Sequence, residues 1–67
     1  MTMNWRDLNV ALPDMREEEV QTLLYDEMAG LRRKTVVIRL HQRYTALRAV
    51  REREALLAEL NAAPPAP

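Results

Sequence analysis

Sixty-seven residues make one domain at most, and a chain of this size buries only about 60% of the surface that its unfolded form exposes. The sequence has no Cys, which excludes disulfides and thiolate metal sites as a supplement to a small core and leaves association as the remedy. Ten Lys and Arg balance ten Asp and Glu, but residues 1–31 carry two basic and seven acidic side chains, whereas residues 32–53 carry eight basic ones against Glu52 alone.

A single Gly, no Phe and an abundance of Ala, Leu, Arg and Glu describe an all-α chain, because these residues lose little freedom in a helix and Gly would lose much. No apolar run approaches the ~18 residues that span a bilayer, and the N-terminus lacks a signal-peptide pattern. The expectation is a soluble, cytoplasmic protein with no membrane partner.

Residues 1–13 read as an N-terminal arm in which Trp5, Leu8 and Leu12 recur at i, i+3, i+7. Asp14, followed three residues later by Glu17, has the form of a capping box, and the trio Glu17, Glu18 and Glu19 suits the positive end of a helix. The spacing predicts a helix over 15–29, with Val20, Leu23, Leu24, Met28 and Leu31 on one stripe and Gly30 as the residue that stops it. Leu31 to Lys34 form a short connection, and Thr35 is the expected N-cap of a second helix over 35–61. Alone, the β-branched run Thr35-Val36-Val37-Ile38 fits a short strand; with no strand partner in the chain it reads as the first turn of that helix.

At 1.5 Å per residue the second helix reaches about 40 Å and the first about 22 Å. Residues 14–62 therefore form an antiparallel hairpin whose longer helix is half uncovered. Something must cover Leu56, Leu57 and Leu60: either the arm, continuing from a register of residue 15 beside residue 50 towards residue 60, or a second copy of the chain in a four-helix bundle. Residues 63–67, Pro-rich, read as a flexible tail.

Projected at about 100° per residue, the second helix places Val36, Val37, Leu40, Tyr44 and Leu47 on one face, towards the first helix. Ile38, Ala49 and Leu56 lie nearly opposite. Arg32, Arg39, Arg43, Ala46 and Val50 form a third strip between them. The expected core is Val20, Leu23, Leu24, Met28, Val37, Leu40, Tyr44 and Leu47.

The basic block has two readings. Arginines on one strip, with Arg32, Arg33 and Lys34 at its head, suit phosphate contacts of salt-dependent, sequence-blind affinity. In a hairpin, however, Asp26 and Glu27 fall beside Arg39 and Arg43, and Glu17 to Glu19 beside Arg48 to Arg53, so the charge separation becomes self-complementary. A sequence pI near 6.6 is also low for a nucleic-acid-binding domain. The stretch from Gln21 to Leu40 partly matches a helix-turn-helix, but it puts Asp26 and Arg39 where that motif packs small and apolar side chains.

Nothing in the sequence assembles a catalytic or metal site. His41 is the only histidine and reads as a surface residue, far from a set of zinc ligands. No Ser or Cys offers a nucleophile, and no glycine-rich loop offers a phosphate cradle. Three consecutive glutamates point in different directions on a helix and do not converge on an ion. Trp5 beside Arg6 reads either as a lid over Leu57 and Leu60 or as an interface residue, since Trp and Arg are enriched at binding hot spots.

The segment Arg32-Arg33-Lys34-Thr35, followed by Leu40-His41-Gln42-Arg43 and Arg51-Glu52-Arg53, is similar to short uncharacterised helical-hairpin proteins encoded in bacteriophage genomes, over about half the chain. The resemblance implies a protein that acts by binding a host or phage protein, without catalysis. The expectation is an all-α antiparallel helical hairpin with an N-terminal arm, a homodimer, and a non-enzymatic module with no cofactor. It meets a protein partner through Arg39, Arg43, Val50 and Trp5. The alternative is nucleic-acid binding through Arg32, Arg33, Lys34, Arg39 and Arg43.

Overall fold

The computed structural model describes residues 3–62, so the tail expected over 63–67 lies outside the described residues. Three α-helices follow one another: α1 (Trp5–Ala11), α2 (Glu17–Ala29) and α3 (Lys34–Ala62), with a 3-10 turn at Leu12–Asp14 between the first two. The described residues contain no strand, and Thr35-Val36-Val37-Ile38 is helical.

The segment expected as an arm is thus a helix. Asn4 caps it, its Oδ1 accepting from the Asp7 N–H at 2.8 Å, which satisfies one of the orphan donors of the first turn. After one 3-10 turn the chain becomes extended at Met15 and Arg16, and its direction reverses. The arm was expected to continue along the second helix towards residue 60. Instead α1 runs back beside the start of α3, with Met3, Asn9 and Pro13 tied to Arg33, Arg39 and Arg43 at a constant offset of 30 residues.

The helix ends differ from expectation for identifiable reasons. Asp14 is held in the 3-10 turn, so α2 starts at Glu17, and Glu19 Oε1 accepts from the Arg16 N–H at 3.4 Å. At the other end, the left-handed residue is Arg32, at φ 55°, not Gly30. Two backbone N–H groups, from Gly30 at 3.3 Å and from Arg32 at 2.8 Å, converge on the Glu27 carbonyl. The glycine serves close approach instead: a Cβ there would lie 3.1 Å from the Asp26 carbonyl oxygen. Thr35 is not a cap, because α3 begins at Lys34, and the Val37 N–H already donates to the Arg33 carbonyl at 2.9 Å.

α2 and α3 pack antiparallel, as the ties between Glu17 and Arg51, and between Gln21 and Tyr44, show. The fully buried core is Leu8, Leu12, Val20, Val36 and Leu40, with Leu23, Leu24, Tyr44 and Leu47 packed against it. Two of the expected core residues change place: Met28 is exposed, and Val36 is buried while Val37 is only half-buried. The cause is α1. Its Leu8, with Leu12 of the 3-10 turn that follows, takes up the flank of α3 that carries Arg39 and Arg43, rotating the buried sector away from Val37.

Every described residue from Arg48 onward is exposed. The molecule measures 55 × 22 × 17 Å, with a radius of gyration of 16.0 Å, against about 11 Å for a compact domain of this length. A core this small makes each buried leucine count. Leu12→Ala is expected to lower the unfolding free energy by about 2–5 kcal/mol, and Val10→Ala, on the exposed side of α1, by no more than about 0.5 kcal/mol, both read from urea titrations followed by far-UV circular dichroism. Arg32→Gly is expected to raise the thermal midpoint, since it removes a left-handed strain of about 1 kcal/mol or more.

Candidate interaction face

The charged residues divide into those spent inside the chain and those left outward. Among the described residues Glu27 is the one buried charged residue, 8% exposed. Its Oε2 accepts from the Arg33 N–H at 2.9 Å and from Arg33 Nε at 3.1 Å, while Oε1 accepts from the same guanidinium at 2.8 Å. The guanidinium also donates to the Met3 carbonyl at 2.9 Å. Side-chain and backbone hydrogen bonds from Arg33 hold the Glu27 carboxyl at a pKa of about 2, well below its ordinary 4.5. Of the five residues of the nucleic-acid alternative, Arg33 is therefore fully engaged.

Arg39 and Arg43 do not pair with Asp26 and Glu27, because the tight loop sets Glu27 opposite Arg33. They hold the N-terminal segment instead. Arg39 Nε donates to Asn9 Oδ1 at 3.0 Å, and an Arg43 terminal nitrogen donates to the Pro13 carbonyl at 3.1 Å. Arg43 Nε is buried and makes no hydrogen bond among the described residues. Pro13, Arg39, Gln42, Arg43 and Ala46 enclose a notch of about 160 Å³ at the end of α1. A second cleft, of about 310 Å³, lies at the other end of the hairpin over the Glu27–Arg33 pair, where Leu8, Leu23, Gly30 and Leu31 complete its walls.

Further along α3, Arg51 makes a bidentate pair with Glu17 at 2.8 and 3.1 Å, as the hairpin register predicts for this acidic and basic cluster. Arg48 pairs with Glu52 on its own helix at 2.8 Å. That exposed neighbour holds the Glu52 carboxyl below its ordinary value. The three glutamates diverge: Glu17 goes to Arg51, Glu19 to the Arg16 N–H, and Glu18 points to solvent. Among the described residues no group of His, Cys, Asp and Glu is arranged to hold a metal, and His41 is exposed.

The residues expected to meet a partner are brought only partly together. Arg39, Arg43, Ala46 and Val50 lie along one strip of α3, with Val50 exposed. Trp5, 49% exposed, does not cover Leu57 and Leu60. In the register set by the ties of α1 it is level with residue 35, some 22 Å along the axis from Val50. The 51% and 71% exposure of Leu57 and Leu60 makes them part of the outward face with Val50. Sequence reasoning missed Asn9 and the Pro13 carbonyl as partners of the arginines. Asn4 three residues before Asp7 was the available signal for α1; a backbone carbonyl leaves no trace in a sequence.

No protein-family model matches the chain, and no curated protein or solved structure matches it either. Among the described residues no helix is long and apolar enough to cross a membrane.

The Glu27 carboxyl titrates at about 2 in the folded chain and near 4.5 when free of Arg33. Its contribution to stability is therefore complete above pH 4.5 and is lost as the pH falls towards 2. Thermal melts of the parent chain are expected to drop over that interval more steeply than those of Glu27→Gln. Equal slopes for the two proteins would mean that the pair does not set the acid response.

Proposed function

We propose that the chain is a small non-enzymatic protein-interaction module, in which α1, α2 and the first half of α3 form the folded base and the second half of α3 is presented to a protein partner. The observation that carries this reading is the exposure of Val50, Leu56, Leu57 and Leu60 on a helical segment whose one hydrogen-bonded tie to another element, among the described residues, is the pair of Arg51 with Glu17. Clustered apolar side chains on a surface mark interaction sites, whereas single ones need no explanation. The reading agrees with the phage resemblance, which implies binding to a host or phage protein inside the cell. Nucleic-acid binding has less support, because Arg33, Arg39 and Arg43 are drawn inward by Glu27, Asn9 and Pro13, leaving Arg32 and Lys34 as the outward members of that set.

Self-association into a four-helix assembly is the second reading, and one observation favours it. The chain exposes 5509 Å², against about 4,400 Å² for a folded monomer of its mass. The excess exceeds the roughly 800 Å² that each partner contributes to a standard interface, and the outward half of α3 contributes to it.

A photo-crosslinking residue placed at Leu57 and, separately, at Glu59 on the far side of the same turn tests the module in its native cell. A discrete adduct from position 57 and none from position 59 is expected. An adduct of twice the chain's mass selects the homodimer, a larger or smaller one selects another protein, and no difference between the positions rejects the face.

A further inference from the structure

Around α3, between about residues 38 and 60, one sector of roughly 120–140° contains Arg39, Arg43, Ala46, Ala49, Val50, Arg53, Leu56, Leu57 and Leu60. It has no acidic residue, although Glu52, Glu54 and Glu59 lie on the same length of helix. All three glutamates fall outside the sector. In the middle of the exposed apolar residues sits Arg53, which makes no ion pair among the described residues, unlike Arg33, Arg48 and Arg51.

We infer that this face receives an acidic amphipathic helix of another protein, a conclusion that rests on the module reading above and names its partner's chemistry. The apolar residues of the incoming helix lie over Val50, Leu57 and Leu60, in the helix-against-helix mode read at spacings of three, four and seven. A carboxylate of that helix meets Arg53. Arg53 lies between Val50 and Leu57, so the partner carries this carboxylate within its apolar stripe. A second copy of this chain fits worse. Two antiparallel copies of the sector set Arg39, Arg43 and Arg53 of each chain against a face that offers no carboxylate to receive them. Like charges placed together act against a pairing as strongly as opposite charges promote one.

The full-length protein is to be titrated into a fluorescein-labelled amphipathic peptide about 18 residues long, with a leucine stripe interrupted by one Glu, and into the same peptide carrying Lys for Glu. Sedimentation equilibrium of the protein alone runs in parallel. The expected result is a monomer that binds the Glu peptide at least tenfold more tightly than the Lys peptide. The preference should shrink with added salt and reverse in Arg53→Glu, while Arg53→Gln gives an intermediate value. All variants should keep the parent's circular dichroism, since Arg53 and Leu57 touch no core residue. Equal affinity for the two peptides, or Arg53→Glu without effect, overturns the inference. So does a parent dimer that tightens in Arg53→Glu, which would identify a second copy as the occupant. Leu57→Asp separates the two claims. If it abolishes binding or dimerisation while the charge variants do nothing, the face stands and the acidic partner falls; if Leu57→Asp changes nothing, the face itself falls.

Discussion

The bonds between Glu27 and Arg33 fix where everything else lies. They close the loop between α2 and α3, satisfy the N–H of the residue before the long helix, and through the second guanidinium nitrogen draw in the Met3 carbonyl at the entry to α1. A carboxylate buried to this degree is tolerated because it is matched by three donors, and removing Arg33 would leave it buried without them. With the loop closed in this register, Glu17 falls opposite Arg51 and Gln21 opposite Tyr44, which sets how far along α3 the hairpin extends.

From there Arg33 and the arginines of α3 act in sequence as ties. Arg33, Arg39 and Arg43 reach Met3, Asn9 and Pro13 in turn, each successive pair lying further from the loop. A seven-residue helix such as α1 is too short to be stable alone. It is held by burial of Leu8 and Leu12 and by these ties, and in return it roofs the small core formed by Val20, Val36 and Leu40. Residues that resemble a phosphate-binding strip when written on a helical wheel are here mostly the scaffold of the fold.

The hairpin of α2 and α3 was legible because Val20, Leu23, Leu24, Leu40, Tyr44 and Leu47 keep helical period and a single Gly interrupts them. The α1 helix was not, although Leu8 and Leu12 lie one turn apart, because seven residues are below the length at which period alone distinguishes a helix from an arm. That omission propagated: with α1 unplaced, Val37 was taken for Val36 and Met28 was assigned to the core. The left-handed turn was assigned to Gly30 on conformational preference, while the loop puts it at Arg32, where the closure by Glu27 determines the backbone. On the candidate face, the strip of Arg39, Arg43 and Val50 was visible from spacing, but the diversion of the two arginines to Asn9 and Pro13 depends on a chain reversal that no local pattern encodes.

Among the described residues the bidentate pair of Glu17 with Arg51 is the last hydrogen-bonded tie between α3 and the rest of the fold, and it divides the helix into two stretches with different reasons for being helical. Up to that point, burial of one face supplies the stability. Past it, helicity rests on intrinsic propensity, on the run of Ala, Leu, Glu and Arg, and on being seeded by the turn before it. Amide hydrogens there open in local fluctuations rather than with the whole domain, so the free energy of ordering this stretch is coupled to whatever docks on it. Substitutions at its solvent-facing alanines, which touch neither core nor partner, would then tune affinity through the unbound helix alone.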